Sequence, residues 1–91
     1  MRILWTRLAR SDVNGIWDRI ESDNPTAADL LENRILAAVE ILERFPYRGR
    51  PGRVAGTREL VIPTSPYVVV YFADGIRVVI LRVLHGRMNW P

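Results

Sequence analysis

The sequence predicts an α+β fold in one domain over residues 1–91: a mainly antiparallel sheet with a helical hairpin packed on one face. Three observations predict it. Two stretches between Thr6 and Arg44 carry apolar residues at helical spacing, with Asp23-Asn24-Pro25 between them. Three later stretches are short runs of β-branched and aromatic residues, as strands are. A loop rich in Gly, Pro and Arg divides the two halves. Ninety-one residues bury only a modest core, but with 48% hydrophobic residues the chain is rich enough to fold without a covalent staple.

The element order is strand, helix, helix, strand, strand, strand. Residues 2–5 form a short strand, and Thr6 is placed to cap the helix that follows. Ala9, Val13, Ile16, Trp17 and Ile20 lie on one face of that helix, which runs to about Ser22. Gly15 weakens it by roughly 1 kcal/mol relative to Ala, which suggests that another backbone element approaches there. Asn24 caps the second helix and Pro25 fits its first turn. Its inner face is Ala28, Leu31, Ile35, Ala38, Val39 and Leu42, and it runs to about Arg44. The short link between the helices implies an antiparallel hairpin. Residues 46–56 hold two Pro, three Gly and three Arg and read as a loop. Strands follow at about 57–62, 67–72 and 76–84, the last two joined by a turn at Ala73-Asp74-Gly75. Tyr67 to Phe72 is apolar at every position and reads as a central strand buried on both faces. Pro63 and Pro66 bound the preceding link and exclude a regular central strand across it.

Composition excludes several chemistries. The chain has no Cys, so disulfides, thiolate nucleophiles and thiolate metal sites are ruled out. A lone His without Cys does not build a structural zinc site, and no metal or cofactor is expected. No apolar run approaches the length of a membrane-spanning helix, and Arg7 returns charge too early for a secretory leader, so the expected location is the cytoplasm. All 13 cationic side chains are Arg. Residues 1–43 carry five Arg against eight acids, whereas residues 44–91 carry eight Arg against two. An Arg-rich composition accounts for Arg over Lys but not for this segregation, which points to a cationic surface for a large anionic partner.

Candidate functional residues gather in the basic half. Arg82 interrupts the apolar run Val78-Val79-Ile80-Leu81 and Val83-Leu84, so it needs a partner or an opening to solvent. Either it pairs with Glu59 across the sheet or it projects into an anion-binding cleft. His85 is the only group that ordinarily titrates near neutrality, and it is either a surface residue or an acid–base group. In a regular strand positions 82 and 85 face opposite sides; they share a site only if the strand ends or bulges before His85. Arg53, Arg58 and Arg87 complete the candidate surface, and the last two sit beside strand ends. Arg48 and Arg50 read as scattered loop charge. Trp90 is a lid on the core or a stacking platform for a base or partner. No Gly-rich phosphate loop, paired carboxylate site or nucleophile triad is present; Gly49-Arg50-Pro51-Gly52 lacks the strand-to-helix context of a phosphate loop.

Taken together the segments resemble the ParE/RelE superfamily of bacterial toxin–antitoxin systems. The resemblance runs through Leu4-Trp5-Thr6, Ala9-Arg10-Ser11-Asp12-Val13 with Ile16, Asn24-Pro25-Thr26-Ala27-Ala28, and Phe45-Pro46 with Gly49-Arg50. It continues through Thr57-Arg58-Glu59-Leu60, Pro66-Tyr67 with Tyr71, and Ile80-Leu81-Arg82-Val83-Leu84-His85. It implies a growth-arresting toxin neutralised by a cognate antitoxin, with one of two targets: DNA gyrase, as for ParE-like members, or messenger RNA on the ribosome, as for RelE-like members. Ribonuclease members commonly place a basic residue after the Tyr of the central strand, where this chain has Val68, and some use a Glu in the preceding loop, where it has Arg50 and Arg53. The ending Leu84-His85-Gly86-Arg87-Met88 looks like the ParE-type ending. The reading is therefore a ParE-like gyrase inhibitor, with a ribosome-dependent endoribonuclease as the alternative and a non-toxic antitoxin-binding module as the third. In the ribonuclease, His85 would serve as acid or base while Arg58, Arg82 and Arg87 stabilise the phosphorane charge.

Overall fold

The computed structural model describes residues 1–88 and Trp90. It opens with β1 (Arg2–Trp5) and helix α1 (Arg7–Glu21). Thr6 ends the strand and starts the helix: its backbone is extended, and its Oγ1 accepts a hydrogen bond from the Ala9 N–H at 3.1 Å. Asn24 caps α2 (Pro25–Ile41) in the same way, accepting from the Ala27 N–H at 3.0 Å. Helix α2 stops three residues before the expected Arg44. The N–H groups of Leu42, Glu43 and Arg44 each bond the carbonyl three residues back, tightening the chain ahead of Pro46, which cannot continue a helix. The helices pack together and are tied by a Trp17 Nε1–Asp29 Oδ1 hydrogen bond of 3.2 Å.

The remaining strands are β2 (Arg50–Pro51), β3 (Arg58–Val61), β4 (Tyr67–Ala73) and β5 (Arg77–His85), and the sheet order is β1-β5-β4-β3-β2. All neighbours are antiparallel except β1 and β5, which run parallel from Arg2 opposite Arg77 to Trp5 opposite Ile80. The predicted element order and sheet type stand, with one strand added. That strand, β2, is two residues long and lies inside the predicted loop, returning to β3 through a turn in which the Gly52 N–H donates to the Thr57 carbonyl at 2.8 Å. A side chain on Gly52 would collide with Thr57 Oγ1. The β4–β5 turn is Asp74-Gly75-Ile76, one residue later than expected. Asp74 sets it: Oδ1 accepts from the Ile76 and Arg77 N–H groups at 3.0 and 2.9 Å, and Gly75 takes φ 88°.

Strand β4 is buried on both faces, as its composition predicted. Val69 and Tyr71 join Ile16, Leu31, Ile35, Val39, Ile80 and Val83 in the core beneath the helices. Their neighbours Val68 and Val70 are buried outside that cluster, with Leu84 and the buried carboxylate of Glu59. The Tyr71 hydroxyl accepts from the Gly49 N–H at 2.8 Å. Burial pushes its acidity down, raising the pKa, and the Gly49 bond partly offsets that. The suggestion that a backbone element approaches Gly15 is not met: among the described residues nothing outside its own helix backbone lies within 4 Å of the point where its Cβ would be.

Candidate functional site at the end of the last strand

Strand β1 covers only the first part of β5, ending at the Trp5–Ile80 pair. Beyond it the outer edge of β5 has no strand neighbour among the described residues, and Thr6 and α1 supply hydrogen bonds instead. Thr6 Oγ1 lies 2.8 Å from the Ile80 carbonyl and 3.0 Å from that of Leu81. Six residues further along the helix, Asp12 Oδ2 accepts from the Val83 N–H at 2.9 Å. The same carboxylate takes one edge of the Arg82 guanidinium, with Nε at 2.8 Å from Oδ2 and Nη2 at 2.9 Å from Oδ1. This fork-on-carboxylate pairing is the strong form of ion pair, and the hydrogen bond to Asp12 raises the Arg82 pKa further.

The pairing expected with Glu59 is made with Asp12 instead, and Arg82 lines a cleft while so paired. The register of β5 explains how it reaches the helix. Arg82 pairs with Val70 and Ile80 with Tyr71, so Leu81 is an extra residue, and this bulge turns the strand locally. Arg82 and His85 then line a single cleft of about 180 Å³ together with Asp12, Gly15, Arg19 and Tyr67. The bulge precedes both residues and the register from Arg82 to His85 is regular, so it does not bring them to one face; they meet in the cleft because Arg82 turns around the strand edge to Asp12.

His85 stands edge-on to Tyr67, its register partner, with ring centroids 5.9 Å apart and planes at 74°. Its Nδ1 accepts from the Arg87 N–H at 3.1 Å, so the neutral ring carries its proton on Nε2. The Arg87 side chain is exposed and makes no hydrogen bond to another described residue. Trp90 is half-buried.

The other candidates lie elsewhere. Arg58 Nη1 donates to the Gly49 and Tyr47 carbonyls at 2.8 and 3.2 Å, and its guanidinium stacks 5.1 Å from the centre of the Tyr47 ring. It is a strut for the loop before the sheet. Arg53 reaches the C-terminal turn, donating to the Met88 and Gly86 carbonyls at 2.5 and 2.9 Å. Arg50 pairs loosely with Glu59 at 3.4 Å. Sequence reasoning missed Asp12, Arg19 and Tyr67 as cleft residues. The one signal was Asp12's position in the Ala9–Val13 pattern of α1, which carried no hint of its partner. Among the described residues no group of three or more His, Cys, Asp or Glu is placed to hold a metal ion.

The sequence matches the ParE toxin of type II toxin–antitoxin systems over residues 3–90. The chain belongs to the ParE toxin family. It is 42% identical to the protein Y4kP of Sinorhizobium fredii, over 99% of this chain and 93% of that one. It is also 39% identical to the toxin RelE2 of Caulobacter vibrioides, over 93% and 94% of the two chains. In three dimensions it is similar to a chain of the chromosomal ParDE toxin–antitoxin system of P. aeruginosa, with TM-score 0.84 at 28% identity, covering 93% of this chain and 95% of that one. This ParE-family chain is therefore a toxin of a type II toxin–antitoxin system, on a fold shared by ParE- and RelE-named proteins.

Proposed function

We propose that this toxin arrests growth in the cytoplasm by binding DNA gyrase, and that it does not cut RNA. The observation that carries this reading is the dispersal of its cations. Cleavage of a phosphodiester needs donors converging on one phosphate to stabilise the phosphorane. Here Arg82 is charge-paired through Nε and Nη2 to Asp12, and Arg58 is bound to loop carbonyls and a Tyr ring. His85 and Arg87 remain, and together they make a contact surface more readily than a nuclease centre. Trp90 extends that surface. A ribosome-dependent ribonuclease is the second reading, favoured by the available His85 Nε2 and by the likeness to RelE2.

A cognate antitoxin holds the toxin inactive. The solved ParDE and RelBE2 systems similar to this chain support such a partner. Leu36, almost half exposed, lines a groove with Trp5, Arg10 and Val13, and that apolar surface is the one we assign to the antitoxin.

The test pairs a gyrase supercoiling assay with primer extension on transcripts after induction, for the native chain and for His85→Gln. The expected result is inhibited supercoiling, uncut transcripts and growth arrest retained in His85→Gln. Transcript cleavage that falls roughly 100-fold or more in His85→Gln would replace this reading with the ribonuclease.

A further inference from the structure

We propose that Arg53 and Glu59 form a clasp that positions the C-terminal turn, so that Arg53 acts through the turn and does not touch the target. The proposal rests on the reading that the end of β5 is the target-contact surface. Its starting point is Glu59, a carboxylate 3% exposed in the middle of β3. A buried carboxylate must be compensated. Oε2 accepts from the Arg53 backbone N–H at 2.9 Å and lies 3.4 Å from Arg53 Nε, while Oε1 lies 3.4 Å from Arg50 Nη2. Glu59 therefore holds both the backbone and the side-chain root of Arg53.

Held at that end, the guanidinium presents its two remaining nitrogens to the turn. Nη1 donates to the Met88 carbonyl and Nη2 to the Gly86 carbonyl. The turn is pinned from its other side by the Gly86 N–H, which donates to the Pro66 carbonyl at 2.7 Å, and it is closed by the Met88 N–H on the His85 carbonyl at 2.9 Å. Gly86 sits directly over the sheet: a Cβ there would lie 3.3 Å from the Pro66 carbonyl oxygen and 3.5 Å from Val68 Cγ2. Arg87 lies between the two clasped carbonyls, so its exposed side chain leaves from a backbone fixed on both sides. Only a planar fork meets two carbonyls from one anchored root; a Lys ammonium at position 53 supplies a point charge on a flexible stem. The predicted cationic surface thus divides by role: Arg87 is the presented charge, and Arg53 is a positioning residue behind it.

The experiment measures amide hydrogen exchange and growth arrest in Arg53→Ala, Arg53→Lys and Arg87→Ala, using the full chain. In Arg53→Ala the Gly86 and Met88 amides should exchange faster by on the order of tenfold, as expected for loss of charge-assisted hydrogen bonds, while the Val69 amide in the core keeps its protection. Growth arrest should fall with it, and Arg53→Lys should lie between. If Arg53→Ala loosens the core as well, Arg53→Lys decides, since it keeps the charge and most of the packing. Unchanged exchange at Gly86 and Met88 overturns the clasp. Arg87→Ala leaves the clasp in place and tests the contact surface alone: full growth arrest in that variant removes the end of β5 from target contact, whatever the exchange shows.

Discussion

Asp12 accepts three hydrogen bonds with one carboxylate, two from Arg82 and one from the Val83 N–H. It stands in for the strand that β1 does not extend to provide. Removing it as Asp12→Ala leaves a guanidinium and a strand N–H without partners in a half-buried place, and should cost about 2–3 kcal/mol in urea unfolding. Asp12→Asn keeps one acceptor and should cost less; equal losses would mean that the neutral acceptor contributes nothing without the charge. Gly15, one turn along the same helix, carries the opposite expectation. It is exposed, and apart from its own helix backbone no described atom lies within 4 Å of an added Cβ, so Gly15→Ala should stabilise the free protein by roughly 1 kcal/mol through helix propensity alone. A destabilised Gly15→Ala in the same titration would refute that. At this scale the sequence was least legible. It marked Arg82 as a charge in need of a partner, but the partner lies 70 residues away on a helix, and no local spacing encodes such a pair. Glu59 was the nearer guess and already holds Arg50 and Arg53.

The elements were far easier to read, because their signals are local. Thr6 and Asn24 cap the helices where the sequence placed them, and the unbroken apolar run of β4 lies at the centre of the sheet. What escaped was β2, whose two residues sit among Gly and Pro and owe their pairing to β3, and the bulge at Leu81, which is visible only in the register with β4. The β4–β5 hairpin offers a pH test. Hydrogen bonds from the Arg77 and Ile76 N–H groups hold the Asp74 pKa below its ordinary 3.8. A carboxylate with a depressed folded pKa adds stability above its unfolded pKa and loses it as pH falls through the folded one. Asp74→Asn keeps the acceptor and removes the charge. The native chain should therefore melt above Asp74→Asn at pH 5–7, with the gap closing as pH drops below about 4. A gap that persisted at lower pH would assign the effect to shape and not to charge.

Across the whole molecule, the separation of charge along the chain maps onto its architecture: the acidic half is β1 and the helical hairpin, and the basic half is the rest of the sheet with its loops. That separation overstates the cationic surface. Of the Arg residues after position 43, Arg50, Arg53, Arg58, Arg77 and Arg82 have donors engaged within the fold. Composition counts charges but does not distinguish a strut from a contact. The parallel pairing of β1 with β5 has a separate consequence for synthesis. β1 is completed by β5, made much later, since among the described residues Arg2–Trp5 has no sheet neighbour other than Arg77–Ile80. Pairing of such high sequence separation forms late, after the intervening helices and strands exist. A nascent chain still short of Arg77 lacks the partner of β1 and one of the two partners of β4, and with it the Asp12–Arg82 pair and the His85 end of the cleft. Translation that stalls or aborts before β5 therefore releases fragments without the end of the sheet assigned to the target, and the ribosome making this toxin carries it in an unassembled form until β5 emerges.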